Sequence, residues 1–454
     1  MTPPAGEGAA RVSAEPPARP GPAARPTHTP HIGLGTRTPS VGAAARTLRL
    51  GAAACALGLL AGLGLVACGD SASTSDSPVV SPAAGTAASG TAASGSTASP
   101  EALGSTTGAN GVRTVTSGLA SPWDVAFLPS GDALISERDS GRILRLPAGS
   151  STPSVLTTLP GVVHHGESGL LGLAVSPTFA TDRYIYAYYT SAQDNRIVRF
   201  RVTGGGTGAG AGTGAGTGSG GAGGVGMRAE APTPILTGLA AGVIHNGGRI
   251  RFGPDGMLYA GVGDTGDHTL AQNRERLNGK ILRLRPDGGV PAGNPFPGSL
   301  VYSLGHRNVQ GLAWDGDGRL WASEFGQDRF DEINLIVAGG NYGWPVVEGT
   351  GDTDGGRFHN PLVTWTTAQA SPSGIAIRGS TLYVAALRGQ RLWEVRLAGA
   401  GVSGRPTAVL TGTAGAGRLR AAVNAPDGSV WILTNNTDGR GRPRTGDDRV
   451  LALP

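Results

Sequence analysis

From about residue 112 to its end, the sequence repeats one short unit: a strand-like run, a tight turn and a second strand-like run. The turns combine Gly with Asp, Ser or Pro, as hairpin turns require, and they recur about 40 to 80 residues apart. Helical periodicity is nearly absent. The long, even period favours a ring of small sheets over a β-sandwich pair, which is the alternative fold. The six turns are Pro129–Asp132, Ser176–Phe179, Gly253–Gly256, Asp315–Gly318, Arg378–Ser380 and Ala425–Gly428.

The runs that follow these turns alternate polar and apolar residues or are continuously apolar, which is typical of blade strands. They predict an all-β fold, a six-bladed β-propeller of four-stranded antiparallel blades. We expect Asp448–Leu453 to pair with Val112–Val115, because this pairing closes the ring and removes an exposed sheet edge. The six predicted strands are Ala133–Glu137, Tyr184–Tyr189, Met257–Val262, Leu320–Ser323, Leu382–Ala385 and Val430–Thr434.

Residues 1–68 are predicted to be a leader that ends in a lipoprotein signal peptide. Arg46 and Arg49 precede the apolar run Leu50–Ala67, and Cys68 follows it directly. This order predicts a lipid on Cys68 and an extracytoplasmic protein anchored to the cell membrane. The alternative is an N-terminal transmembrane helix, for which a run of 18 residues is at the short end of the usual length.

Two low-complexity segments border or interrupt the predicted propeller, residues 112–454. Residues 69–111 are rich in Ser, Thr, Ala and Gly and are predicted to be a disordered tether. Residues 204–226 are Gly-rich and are predicted to be a loop insertion. Their match to a dinucleotide-binding GxGxxG motif is not followed by a helix pattern, so we do not interpret it as a nucleotide site.

Cysteine usage and charge exclude several classes of function. The chain has two cysteines, Cys55 within the apolar run and Cys68 at its end. The mature domain therefore lacks disulfides, thiolate metal sites and a cysteine nucleophile. Residues 1–68 carry +4 of the formal net charge of +5. Since about +1 is left for the exported part, the basic balance does not indicate a nucleic-acid partner.

The stretch Leu304–Pro345 is the most densely patterned part of the chain. Gly311–Trp314 and Leu320–Phe325 flank the turn Asp315–Gly318 and predict a β-hairpin. Because loops on a rigid sheet scaffold often carry function, we expect a site where polar residues crowd its open ends. These residues are His306, Arg307, Asn308 and Gln310 before the first strand, and Glu324, Gly326, Gln327, Asp331 and Glu332 after the second.

Seven short motifs follow one another along residues 112–454. They are Pro122–Phe127, Gly166–Leu173, His245–Arg249, Gly261–Asp264, Leu304–Asn308, Asp331–Asn334 and Gly340–Pro345. In this order they resemble the soluble quinoprotein glucose/sorbosone dehydrogenases, or aldose sugar dehydrogenases, which are six-bladed propellers. The resemblance implies an oxidoreductase that oxidises the C1 hydroxyl of aldose sugars to lactones. Pyrroloquinoline quinone (PQQ) would accept the hydride, and an unidentified membrane acceptor would reoxidise it.

The resemblance implies that His245 takes the proton of the anomeric hydroxyl and that Arg307 stabilises the developing oxyanion of the quinone. An imidazole with a pKa near 6.5 suits a base at neutral pH. The alternative for His245 is a capping or turn histidine. That interpretation stands for the histidines outside the matching context, His164, His165, His268 and His306.

Arginines are expected around PQQ, because it carries three carboxylates and a guanidinium grips a carboxylate with two hydrogen bonds. The resemblance assigns this task to Arg388, Arg418 and Arg420; the alternative is a solvated basic face. It also implies polar contacts from Glu167, Asp264, Asn308 and Gln310. Asp264 is as well suited to end a strand in a turn. Glu167 stands where many family members have Gln, and its charge is unfavourable beside an anionic cofactor unless it is paired or protonated.

The resemblance also implies a Ca²⁺ ion against the quinone, held by the backbone carbonyls of Gly326 and Gln327. Gln327 replaces a proline of the family. A hard cation of this kind would polarise the quinone carbonyl. Glu332 and Tyr342 are candidates for a second, structural Ca²⁺, and packing under the Asn341–Trp344 turn is the alternative.

Two other classes of function remain open. A calcium-dependent lactonase on the same architecture would need inward Glu, Asn and Asp ligands and no arginine cluster. A non-catalytic cell-surface propeller lipoprotein would bind a partner or a glycan. The fold does not separate these classes, but His245, Arg307, Arg418 and Arg420 favour the dehydrogenase.

Overall fold

The computed structural model describes residues 111–204, 226–411 and 415–454. The predicted leader, signal peptide and nearly all of the tether lie outside the described residues, as do residues 205–225 of the Gly-rich insertion. Two one-turn helices, α1 (Phe179–Asp182) and α2 (Thr269–Gln272), accompany the strands. Neither helix of the described segments is long and apolar enough to cross a bilayer.

The strands are short, with three to nine residues in all but one case, β9, which has two. In chain order they are β1 (Arg113–Thr116), β2 (Pro122–Phe127), β3 (Ala133–Glu137), β4 (Arg142–Leu146), β5 (Ser154–Thr158), β6 (Leu170–Val175), β7 (Tyr184–Thr190), β8 (Asn195–Thr203), β9 (Arg228–Ala229), β10 (Thr233–Leu239), β11 (Ile250–Phe252), β12 (Leu258–Val262), β13 (Lys280–Leu284), β14 (Val301–Leu304), β15 (Val309–Trp314), β16 (Leu320–Glu324), β17 (Phe330–Ile336), β18 (Val363–Thr366), β19 (Pro372–Arg378), β20 (Thr381–Ala386), β21 (Arg391–Ala398), β22 (Gly401–Val409), β23 (Leu419–Asn424), β24 (Val430–Thr434) and β25 (Val450–Leu453).

The strands form six antiparallel sheets, the blades of a six-bladed β-propeller. The blades are β2–β5, then β6, β7, β8 and β10, then β11–β14, β15–β18, β19–β22, and last β23, β24, β25 and β1. The inner strands β2, β6, β11, β15, β19 and β23 contact one another in a closed ring. The predicted fold is confirmed and the sandwich alternative is wrong. The short strand β9 adds to β8, so the two strands that border residues 205–225 are paired.

The ring closes through the two ends of the described chain, as predicted. β1 pairs antiparallel with β25, with Arg113 opposite Ala452 and Thr114 opposite Leu451. This pairing completes the sixth blade and leaves no sheet edge open at the seam. The predicted second strands correspond to β3, β7, β12, β16, β20 and β24, with ends that differ by one residue at most.

The predicted turns join the inner strand of each blade to the next strand, so all six lie on one face of the propeller. The opposite face carries the loops that enter each inner strand and leave each second strand. Polar residues before β15 and after β16 therefore meet on that face, which is where the functional site lies.

Apolar side chains fill the space between blades. One cluster joins Trp123 of β2 and Tyr186 and Tyr188 of β7 to Ile250 and Leu282 of the third blade, and each of these side chains is at most 2% exposed. Burial of one such side chain contributes roughly 1.5–3 kcal/mol, so inter-blade packing is the main source of stability. Large aromatic residues suit these layers because strands present them to the neighbouring sheet.

The axis of the ring is polar. The fully buried carboxylate of Asp124 on β2 forms ion pairs with Arg249, which precedes β11, and with Arg251 on β11. Burial alone would raise the pKa of Asp124, but the two guanidiniums lower it below its usual value. Arg249 Nε also donates to the Gln310 carbonyl at 2.8 Å. This cluster lies behind Trp123, whose ring centroid is 4.2 Å from Arg249 Cζ.

Candidate functional site

A cavity of about 310 Å³ opens on the face opposite the six turns. All six blades contribute residues to it, and nine of the predicted site residues line it. These nine are Glu167, His245, Arg307, Gln310, Gly326, Gln327, Arg388, Arg418 and Arg420. The loops that precede inner strands and follow second strands thus converge, as the hairpin pattern predicted for the fourth blade.

His245 lies in the loop that enters β11, in a left-handed backbone conformation with φ of 53°. This region costs a non-glycine residue roughly 1–2 kcal/mol, so its neighbours must hold it. The His245 amide donates to Glu167 Oε2 at 2.9 Å, and its carbonyl accepts from the Thr265 amide at 3.2 Å. A Cβ atom on Gly263 would lie 2.0 Å from the His245 carbonyl oxygen. Only glycine permits this close approach.

The side chain of His245 is oriented by Asp264. His245 Nδ1 lies 2.7 Å from Asp264 Oδ1, and the carboxylate is fully buried. Burial alone would raise the pKa of Asp264, but hydrogen bonds from His245 and His268 hold it well below its usual value. The carboxylate is therefore ionised, and Nδ1 carries the proton. Nε2, which has no hydrogen-bond partner among the described residues, is left as a proton acceptor beside the cavity.

Asp264 does not line the cavity and acts through His245. Its carboxylate also accepts from His268 Nδ1 and Trp344 Nε1, each at 2.9 Å, and from the Gly266 amide at 2.9 Å. The last contact is the turn interaction that the sequence allowed. Both interpretations of Asp264, as a turn residue and as the residue that orients His245, describe its contacts.

Arg307 reaches the cavity from the loop before β15. Its Nε and Nη2 donate to Gln327 Oε1 at 2.9 and 2.6 Å, and Nη1 donates to the Phe325 carbonyl at 3.1 Å. Burial lowers the pKa of Arg307 from its usual value. The guanidinium is thus held by neutral oxygens, and its charge is left for a ligand.

Six arginines line the cavity, and they divide by their partners. Three of them bind a carboxylate, in the pairs Arg138–Asp139, Arg418–Asp438 and Arg440–Glu167. Within the described segments, Arg307, Arg388 and Arg420 have no carboxylate at hydrogen-bond distance. Arg420 instead donates to Gln310 Oε1 and Asn435 Oδ1, and burial lowers its pKa to about 9. Arg420 also lies 3.8 Å from Asp438, which it shares with Arg418. The excess of guanidiniums over carboxylates suits a ligand with several carboxylates.

The predicted metal loop is held by one carboxylate oxygen. Glu348 Oε1 accepts from four successive backbone amides, those of residues 327–330, at 2.8 to 3.1 Å. The Gly326 amide donates to Asp331 Oδ1 at 3.0 Å, and burial raises the pKa of Asp331 to about 6. Carbonyl oxygens and a carboxylate are the hard donors that Ca²⁺ takes. In the described segments, no three His, Cys, Asp or Glu side chains group as metal ligands.

Comparison with known proteins identifies the family. A sequence model described as glucose/sorbosone dehydrogenase matches residues 119–442. The chain belongs to the glucose/sorbosone dehydrogenase family. It is 28% identical over 349 residues to the aldose sugar dehydrogenase YliI of Escherichia coli, covering 71% of this chain and 89% of that protein. It is 34% identical over 276 residues to quinoprotein glucose dehydrogenase B of Acinetobacter calcoaceticus, and spans about half, 55%, of that protein and 55% of this chain.

A solved member of the family is also similar in structure. The PQQ-bound form of aldose sugar dehydrogenase from Streptomyces coelicolor has 50% sequence identity and a TM-score of 0.67. The match covers 75% of this chain and 97% of that one. At this identity the likeness concerns sequence as well as fold.

Four predicted site residues of this family member do not line the cavity: Asp264, Asn308, Glu332 and Tyr342. Asn308 Oδ1 accepts from the Gly247 amide at 3.0 Å, so this side chain supports the His245 loop. Burial and, to a smaller extent, the nearby charge of Glu324 raise the pKa of Glu332 to about 8. The Tyr342 hydroxyl donates to the Leu335 carbonyl at 2.6 Å. The second Ca²⁺ site stays a prediction.

Several cavity residues of this family member were not predicted from the sequence. Arg138 and Arg440 come from loops without a recognisable motif, and Thr367 and Ser371 lie outside the seven motifs. Trp123 lies within a motif but was not assigned a role, whereas Asp331 was expected at the site as one of the polar residues after the hairpin. His306 is fully buried, and its ring bonds to Glu324 and Ser303, which agrees with a structural interpretation.

Proposed function

We propose that this member of the family oxidises the C1 hydroxyl of aldose sugars to lactones, with PQQ as the hydride acceptor and Ca²⁺ beside it. One observation carries the proposal. His245, whose Nε2 atom is freed as an acceptor by the Asp264 contact, lines the same cavity as Arg307 and Arg388, which have no ion-pair partner among the described residues, and Arg420, which shares Asp438 with Arg418. A base beside an anion site is what this chemistry requires.

The chain's own residues would move the proton. His245 Nε2 accepts the proton of the anomeric hydroxyl, while Nδ1 keeps its hydrogen bond to Asp264. The carboxylate stabilises the imidazolium that forms and keeps the ring in place. A positioned base of this kind contributes roughly 10²–10⁴-fold to the rate. When bound, PQQ would supply the acceptor for the C1 hydride, and Ca²⁺ would polarise its quinone carbonyl.

The cofactor would be held mainly by charge. Arg307 and Arg388 offer guanidiniums without an ion-pair partner among the described residues. Arg418 and Arg420 share the single carboxylate of Asp438, at 2.9 and 3.8 Å, so this pair also keeps an excess of positive charge. Gln310, whose Oε1 accepts from Arg420 Nη1, would add a polar side chain beside this guanidinium. The carbonyls of the Gly326–Gln327 loop would hold the cation. The relatives support this assignment, because one is solved with PQQ bound and another is named a quinoprotein.

Reconstitution tests the proposal. The purified protein is depleted of cofactor, mixed with PQQ and Ca²⁺, desalted, and assayed with aldoses and an artificial electron acceptor. Retained quinone absorbance together with aldose-dependent reduction is expected. Loss of the quinone on desalting and no turnover would leave the non-catalytic propeller, which binds a partner or glycan, as the better function.

The cellular location is part of the proposal. An apolar run before Cys68 supports a lipid-anchored, extracytoplasmic enzyme that delivers electrons to an acceptor in or near the membrane. Radiolabelled palmitate should enter the wild-type protein and not Cys68→Ser. Equal labelling of both proteins would rule out a lipid on Cys68, and an unlabelled wild type that is bound to the membrane would favour the transmembrane helix.

A further inference from the structure

We propose that Glu167 is a positioning residue for His245, and that Arg440 supplies the cation that allows a carboxylate to take this position beside an anionic cofactor. The part that concerns the cofactor rests on the proposed function. The part that concerns His245 does not.

Glu167 contacts His245 through the backbone. Its Oε2 accepts from the His245 amide at 2.9 Å, and the amide of Glu167 itself donates to the Val243 carbonyl at 2.8 Å. Two hydrogen bonds therefore join the loop that enters β6 to the loop that carries His245. Because His245 has a positive φ, its conformation needs support from outside its own loop. Glu167 provides that support.

Arg440 contacts the other oxygen of Glu167. Its Nη1 donates to Glu167 Oε1 at 2.8 Å, and its amide is fixed by Asp438 Oδ1 at 2.9 Å. Arg440 lies between β24 and β25 of the sixth blade, 273 residues from Glu167. Its side chain is 55% exposed, whereas that of Glu167 is 16% exposed. A surface arginine thus reaches across the ring to a mostly buried carboxylate.

The Glu167–Arg440 ion pair removes a repulsion between Glu167 and an anionic cofactor. A lone carboxylate in a cavity that takes a polyanion would repel it, and the repulsion is strong where water is excluded. Burial alone would raise the pKa of Glu167, but the His245 amide and Arg440 lower it below its usual value. The carboxylate is then ionised and its charge is balanced by Arg440. A neutral Gln at this position would accept the same amide without a cation.

A double substitution distinguishes the two roles that Arg440 could have, charge balance of Glu167 and direct binding of the cofactor. If Arg440 only balances Glu167, Arg440→Gln should weaken PQQ binding, and the additional change Glu167→Gln should restore it. If Arg440 grips a cofactor carboxylate itself, the second change would restore nothing. The matched control is Arg442→Gln, two residues away in the same loop and outside the cavity lining.

The first experiment titrates each cofactor-free protein with PQQ in the presence of Ca²⁺ and follows the quinone absorbance. We expect Arg440→Gln to raise the Kd by roughly tenfold or more. The double variant and Arg442→Gln should remain within about threefold of wild type. Glu167→Gln should bind PQQ at least as tightly as wild type, because it leaves the Arg440 guanidinium without its carboxylate. A double variant as weak as Arg440→Gln would overturn the charge-balance role.

The second experiment needs no cofactor and so separates this inference from the proposed function. The backbone amide resonance of His245 is followed by ¹H–¹⁵N NMR between pH 4 and 8. In Arg440→Gln, the chemical shift of this amide should report the protonation of Glu167, because its carboxylate has lost its cation. In the double variant Glu167→Gln/Arg440→Gln, this pH-dependent change in chemical shift should be absent. An identical response in all variants would overturn the positioning role. A wild type that binds no PQQ, with this pattern intact, would refute only the proposed function.

Catalysis provides the third readout. Glu167→Ala removes the acceptor of the His245 amide, so kcat should fall while the PQQ content stays close to wild type. Glu167→Gln keeps an acceptor and should recover most of the loss. Equal kcat for Glu167→Ala and wild type at equal PQQ content would show that the contact does not position the base.

Discussion

The imidazole of His245 and the carboxylate of Asp264 form a buried pair, with Nδ1 and Oδ1 2.7 Å apart. Trp344 Nε1 and His268 Nδ1 donate to the other carboxylate oxygen. Four donors in all converge on one carboxylate, which fixes its position and keeps it ionised. The pair sets the tautomer of His245, and its Nε2 atom is the group on which the proposed proton transfer depends.

Substitution of Asp264 tests this relationship. In Asp264→Asn an amide replaces the carboxylate, so Nδ1 of His245 no longer has an anionic acceptor and the other tautomer gains population. We expect kcat to fall by roughly 10²–10⁴-fold with PQQ retained, measured by steady-state kinetics at equal cofactor content. His268→Gln, which changes a second donor to the same carboxylate, is the control and should cost far less. A comparable loss of kcat in both variants would mean that Asp264 acts through the surroundings that it shares with His268 and not through the tautomer of His245.

Removal of the base separates chemistry from binding. His245→Ala should reduce turnover by roughly 10²–10⁴-fold and keep the quinone absorbance after desalting, because arginines hold the cofactor. His164→Ala, a histidine outside the cavity lining, is the control and should turn over normally. If His245→Ala lost the cofactor as well, the residue would have to be counted among those that bind it.

Arg388 isolates the charge contribution to cofactor binding. Its side chain is exposed and has no ion-pair partner in the described segments, so Arg388→Ala should not change the thermal midpoint. A charge-assisted hydrogen bond contributes about 1.5–3 kcal/mol, and we expect the Kd for PQQ to rise by roughly 10- to 100-fold. Equilibrium titration with PQQ at two salt concentrations measures the Kd and its dependence on charge. Arg405→Ala, on β22 away from the cavity, should bind like wild type, and an unchanged Kd for Arg388→Ala would remove this residue from the site.

Local patterns predicted the blades because each turn and strand is specified within about ten residues of sequence. The turn Asp315–Gly318 and strand β16 lie side by side in the chain, and both are where the pattern placed them. The motif around His245 likewise identified its loop. Ring closure between β1 and β25 followed from the need to cover sheet edges.

Contacts between distant loops were beyond the sequence. Arg440 and Glu167 meet across the ring, and nothing near Arg440 in the chain marks it, because an arginine in a Gly-rich loop is normally a solvated surface residue. The sequence also presented Glu167 as a departure from the family pattern, and only its two partners explain how the charge is tolerated. The role of Glu348 was not predicted, since a carboxylate that accepts hydrogen bonds from four backbone amides has no sequence signature of its own.

Glu348 should control the order of the loop that follows β16. Glu348→Ala removes an acceptor shared by four successive amides, so these amides should exchange with solvent faster. We expect at least a roughly tenfold increase in their exchange rates, since opening the loop would no longer break charge-assisted bonds. Hydrogen–deuterium exchange of the peptide that spans residues 327–330 measures it. Asp352→Ala, in the following loop, is the control, and unchanged protection in Glu348→Ala would show that other contacts hold the loop.

The ion pairs at the axis should make stability depend on acid pH. Asp124 is fully buried between Arg249 and Arg251, which lower its pKa despite burial. A carboxyl with a lowered folded pKa contributes stability above its unfolded pKa of about 3.9 and loses that contribution as the pH falls toward the folded value.

Asp124→Asn should therefore cost roughly 3–5 kcal/mol at pH 7, because it leaves the fully buried guanidinium of Arg249 and the partly buried one of Arg251 without their carboxylate. The difference in unfolding free energy between wild type and this variant should shrink as the pH falls from about 4 to 3, because the unfolded wild type takes up a proton that the folded protein still excludes. Urea denaturation of the two proteins at several pH values measures it. Asp317→Asn, whose side chain is 71% exposed, is the control and should follow wild type at every pH. A gap between wild type and Asp124→Asn that stays constant down to pH 3 would mean that the pKa of Asp124 is the same in the folded and the unfolded protein and that acid acts elsewhere in the propeller.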